Sequence, residues 1–100
     1  MKKLFLVQNN APAESWSVYL ACVVVAENEF DAQRIYPNSS VVWSKKGWVI
    51  IDEEELYLDH SLNDTWVPAD KVHALNVTYL GVAAAGLSIG DIIITDYIEP

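Results

Sequence analysis

The stretch "LACVVVA", residues 20–26, constrains the fold more than any other. Seven apolar residues run without interruption, and Val23, Val24 and Val25 are β-branched. Such a run suits a central strand covered on at least one face, and the pattern extends it over residues 16–27. A covered strand needs neighbouring strands and a second layer against it. The chain has the material for both: 100 residues, 52% apolar, with four Trp, five Tyr and two Phe. That is enough for one two-layer core, so residues 1–100 read as a single domain.

The remaining elements follow from periodicity and punctuation. "KKLFLVQ" (2–8) reads as a first strand, closed by the turn-forming "NNAPAES". Asn28 is a good helix N-cap, and Asp31 occupies the third helical position. Phe30, Ala32, Ile35 and Tyr36 supply an apolar stripe, and Pro37 stops the helix, which predicts a short helix over 29–36. Residues 39–51 read as a β-hairpin around "SKKG", with Trp43 and Trp48 pairing across it and one of the two facing the core. "IIDEEELYLDH" (50–60) reads two ways. As a helix, Asp52 is the N-cap, Glu55 the box acid, and Ile51 and Leu56 a staple. As a strand, Leu56, Leu58 and His60 share a face. A short helical turn followed by an extended piece is the expectation, with "SLNDTWVPAD" as a turn-rich connection. Residues 71–83 alternate like a long strand, and 91–99 form an isoleucine-rich last one. The order implies an α+β fold, a mostly antiparallel sheet of about five strands with the helix 29–36 packed on one face.

Charge narrows the function classes. Fourteen acids against six bases leave a net charge of −8. Phosphate backbones and anionic lipid surfaces repel such a chain, so direct binding to nucleic acid or membrane is not expected, and a basic protein partner is allowed. Asp52, Glu53, Glu54, Glu55, Asp59 and Asp64 place six acids in thirteen residues with no Lys or Arg among them. Three readings compete: a solvated face, a metal site, or a patch that meets a basic groove. A calcium loop needs alternating acids and a glycine, which this run lacks. The partner-facing reading takes these six acids with Trp66 beside them as an apolar anchor. His60 and His73 stand in no recognisable catalytic or metal motif, and four scattered glycines make no phosphate cradle. No catalytic residue, metal or cofactor is therefore expected, and the chain reads as no enzyme. Cys22, the one cysteine, reads as a buried thiol. Leu4–Val7 is too short for the ~7–15-residue apolar core of a signal peptide, and no segment nears the ~18 apolar residues of a span. A cytoplasmic protein is expected.

"KKLFLVQ", "VVVAENEFDAQRIYP" and "WVPADKVHALNVTYLGVA" together resemble a group of small phage and prophage proteins without assigned function. The resemblance covers about half the chain, and residues 38–65 depart from the shorter members. It implies the fold and brings no catalytic motif. Taken with the small size, the strong acidity and the lack of a catalytic motif, the resemblance leads to the expectation of a phage-encoded, non-enzymatic binder acting in the cytoplasm of an infected host cell. Such a protein would inhibit a host defence factor with a basic groove, such as a CRISPR effector. The rival expectation is a self-assembling accessory or structural phage protein, whose last strand pairs between subunits as a homodimer.

Overall fold

The computed structural model describes residues 1–10, 18–52, 55–58 and 62–98, with the backbone alone at 52, 55–57, 63, 64 and 98. Strand β1 (Lys3–Gln8) pairs antiparallel with β2 (Val18–Ala26), the strand announced by the valine run. Alternation then sorts their side chains. Phe5 opposite Val24 and Val7 opposite Cys22 fall on one face; Leu4 opposite Val25, Leu6 opposite Val23 and Gln8 opposite Ala21 fall on the other. Phe5, Val7, Cys22 and Val24 are all buried in one core cluster.

After β2 comes α1 (Glu29–Ala32), where Asn28 Oδ1 accepts the Asp31 backbone N–H at 2.8 Å, the expected N-cap. The helix is shorter than the expected 29–36. Ile35 leaves it to make an isolated bridge with Val42, and Tyr36 turns into the core. A four-residue helix has little stability of its own, so these two contacts outbid further helical turns. Phe30, expected on the packed stripe, is 62% exposed and lies against the Arg34 guanidinium at 3.4 Å.

Next come β3 (Val41–Ser44) and β4 (Gly47–Asp52), the expected hairpin. Gly47 takes φ +140, a conformation that side chains resist, and Ser44 Oγ donates to its carbonyl at 2.7 Å. Trp43 and Trp48 are direct cross-strand partners. They share a face, so the expectation that only one turns inward needs amending: Trp48 is fully buried, Trp43 half-buried. Strand β5 (Glu55–Leu58) continues this sheet by pairing with β4. The expected helical turn at the acidic run is therefore replaced by strand on both sides of it. Val49–Leu58, Ile50–Tyr57 and Ile51–Leu56 are cross-strand partners, and these apolar pairs outweigh the capping signal of Asp52.

Helix α2 (Leu62–Thr65) and a 3₁₀ helix (Ala69–Ala74) precede β6 (Asn76–Val82) and β7 (Ile92–Ile98). The 3₁₀ helix takes the first part of the expected strand 71–83. Val72 and Leu75 sit three apart and are both buried, which suits the three-residue turn of that helix better than strand alternation. The result is two antiparallel sheets among the described residues, β6-β1-β2-β7 and β3-β4-β5. The fold class is the expected α+β, with seven described strands in place of about five.

The second sheet and the 3₁₀ helix cover the Phe5/Val24 face of the first. Trp48, Trp66 and Tyr36 fill the space between, with Tyr36 edge-on to Trp48 at 5.0 Å and 72°. Trp43 Nε1 donates to the Ala69 carbonyl at 2.8 Å and Trp48 Nε1 to that of Val67 at 2.5 Å, so both indoles bind the hairpin to the 67–69 backbone.

Candidate functional site

Among the described residues the covering layer lies on one side, which leaves the other face of β6-β1-β2-β7 to be accounted for. Strands β6 and β7 stand at opposite edges of this sheet, so the segment joining them must cross the ends of β1 and β2. It does so under tight control. The Lys2 ammonium donates to the carbonyls of Ala85 (3.0 Å) and Leu87 (2.6 Å), and the Ala83 N–H donates to the Lys2 carbonyl. At the far end Gly90, with φ +94, donates to the Val25 carbonyl, and Val25 donates to that of Asp91. This strap buries Val25 completely. It does not reach the middle of the sheet.

There the register lines up Thr78, Leu6, Val23 and Ile94 across all four strands, with Gln8, Ala21 and Asp96 in the next row. Ile94 is 64% exposed, and Leu6, Ala21 and Val23 are half-buried. Because Ala21 is small, a shallow dimple of about 250 Å³ opens above it, bounded by residues 21–23 of β2, residues 94–96 of β7 and Leu6 of β1. An apolar floor with one carboxylate at its rim favours a side chain that is apolar along its length and cationic at its tip.

The sequence pointed elsewhere, to the acidic run. Asp52 and Glu55 are direct register partners at the end of the β4–β5 hairpin, and Asp64 lies in α2. Glu53, Glu54 and Asp59 fall outside the described residues, as does His60. Like charges at paired positions destabilise a strand pair, so neutralising these two register partners is expected to hold or raise stability. Trp66 corrects the expectation of a surface anchor. It is 1% exposed inside the core, and its Nε1 has no hydrogen-bond partner there. Large apolar area draws it inward, where Leu62 and Ala69 flank it in sequence and in the core. His73 is exposed on the 3₁₀ helix, and among the described residues no three His, Cys, Asp or Glu side chains converge.

No family model, curated protein or solved structure matches the chain. Its surfaces must carry the functional reading.

A second depression, of about 640 Å³, runs between Pro37–Ser39 and Leu87–Ile93 beside the start of β7. Its polar side chains already hold turns: Asn38 Oδ1 accepts the Ser40 N–H, and Asp91 Oδ2 accepts the Ser88 N–H. Beneath the first sheet, burial pushes the Cys22 thiol up to about 12, and Tyr19 is raised by its own burial and by Tyr97. Both groups fold in their protonated forms. Their contribution to stability is whole below the unfolded values and is lost as pH rises toward the folded ones. The urea midpoint should fall between about pH 9 and 12, and Cys22→Ala should flatten part of that fall. An equally steep fall in the variant would show that Cys22 does not drive it.

Proposed function

We propose that the protein is a non-enzymatic binding domain that holds a basic protein partner against the open face of its four-stranded sheet. The observation that carries this reading is the apolar row Leu6–Val23–Ile94 beside the Ala21 dimple and the Asp96 carboxylate. An apolar centre with a charged rim is the usual anatomy of a protein interface. The net charge of −8 supports a basic partner. So does the employment of two of its six cations: Lys2 binds two carbonyls, and Arg34 lies over Phe30 and donates to its carbonyl. The resemblance to small phage proteins supports a more specific form, inhibition of a host defence factor that has a basic groove.

Under this reading the acids of the β4–β5 connection steer the partner from a distance. Replacing Asp52, Glu53, Glu54 and Glu55 by Asn and Gln takes the charge from −8 to −4. Capture is expected to fall about tenfold at low salt, with little difference from the parent above ~0.5 M salt, where screening has removed the steering. Stability should hold or rise slightly, because opposed acids are gone. Equal capture by both proteins at low salt would remove the run from recognition. The reading as a whole is tested by affinity capture from bacterial lysate with the parent and with a protein altered at Ala21. Loss of the captured protein on filling the dimple supports it; retention contradicts it.

A further inference from the structure

We infer that β7 is a self-complementary edge through which two copies of the chain pair antiparallel, joining their four-stranded sheets into one of eight strands. The two outer strands of the sheet differ in a way that singles β7 out. Both pairings carry register shifts, at Leu4/Phe5 against β6 and at Tyr19/Ala21 and Val23/Val24 against β7, but the row across the open face ends on the polar Thr78 at β6, where Gly81 also takes φ +144, and on the apolar Ile94 at β7. Like β6, strand β7 carries neither Lys nor Pro and its outer edge meets no other described strand, and Ile93, Ile94 and Tyr97 are exposed on it. Proteins blunt such edges unless something pairs with them.

A second copy fits this edge in one register particularly well. A twofold axis at Ile94 sets Ile94 of both copies face to face, Ile93 opposite Thr95, and Ile92 opposite Asp96. The apolar row Leu6–Val23–Ile94 then continues through the axis into the same row of the other copy. The one charge of the strand stays clear of its equivalent. The two Asp96 residues stand four residues apart along the strands, about 13 Å, beyond the ~8 Å screening length at physiological salt. An axis at Asp96 would oppose them directly. The Ile94 axis also brings Tyr97 of each copy level with Asp91 of the other, beside the 640 Å³ depression that Gly90, Asp91 and Ile93 help to line. A paired edge of seven residues is about 23 Å long, so the buried surface is at the low end for specific interfaces and micromolar association is expected.

The test is sedimentation of the purified protein from ten to several hundred micromolar, joined to a cysteine scan of β7. The parent should approach twice its 11.2 kDa with rising concentration. Association should strengthen with salt, because each copy carries −8, whereas capture of a basic partner weakens with salt. Ile94→Lys, at a site already exposed, should weaken association tenfold or more. Under mild oxidation Ile94→Cys should form a covalent dimer, since paired strands hold opposite Cα atoms at about 4.5–5.5 Å, within disulfide reach. Thr95→Cys and Asp96→Cys should cross-link far more slowly, and the buried Cys22 does not compete. A mass of 11.2 kDa throughout overturns the inference, and fastest cross-linking at residue 95 or 96 overturns its register.

Discussion

Trp48→Ala is expected to lower the free energy of unfolding by about 3–5 kcal/mol, a large share of the ~5–15 kcal/mol that holds a domain of this kind. Three observations set that size. Trp48 is fully buried at the centre of the layer between the sheets, it stands edge-on to Tyr36, and its Nε1 ties β4 to the Val67 carbonyl. Removing it opens a cavity and leaves that carbonyl without its donor. Urea titration followed by circular dichroism measures the loss, and a loss below about 1 kcal/mol would mean that the second sheet is held by something else. Trp66 is the control. Its Nε1 is buried with no partner, so Trp66→Phe removes a donor whose burial costs about 1–3 kcal/mol and should be milder than Trp48→Phe.

Ala21→Arg is expected to reduce partner capture at least a hundredfold, about 2.7 kcal/mol or more, while leaving the fold intact. Ala21 is half-buried at the floor of the dimple, directly opposite Asp96 on β7. An arginine there lays its stem along Leu6 and Ile94 and its guanidinium against that carboxylate. A cross-strand pair of opposite charge contributes roughly 0.2–1 kcal/mol, so the melting temperature should hold or rise. The same side chain occupies the place the partner's anchor would take, and loss at the centre of an interface is where binding energy concentrates. Because Ala21 is on β2 and away from the outer edge of β7, self-association should not change. Undiminished capture with a folded variant would clear the open face of any role.

The sequence made the strands legible where β-branched residues crowd, as in "LACVVVA" and "DIIITDYIE", and it made the Asn28 cap legible through one side chain and one spacing. It did not reveal which face of the sheet lies open. A continuous apolar run gives no alternation to separate the sides, so Val23 on the open face and Val24 in the core look alike in sequence. Ala21 gave no signal at all, since a dimple is a missing side chain. The acidic run misled locally because Asp52 and Glu55 fit a helix cap as well as a hairpin end, and only the pairing of Ile51 with Leu56 separates the two. Trp66 misled because the polar Asn63, Asp64 and Thr65 precede it directly, whereas in the fold it joins the core cluster that also holds Ala69. Residues 71–75 alternate well enough for a strand, and Pro68 before Ala69 was the one hint that a tighter turn begins there.

The most direct measurement is amide hydrogen exchange on the protein alone and in complex with the partner it captures. Binding on the open face predicts slower exchange in the complex along residues 4–8, 21–25 and 92–97, with 47–52 and 55–58 little changed. Slowing confined to 47–52 and 55–58, with the four-stranded sheet exchanging as in the free protein, would contradict it and return recognition to the acidic hairpin.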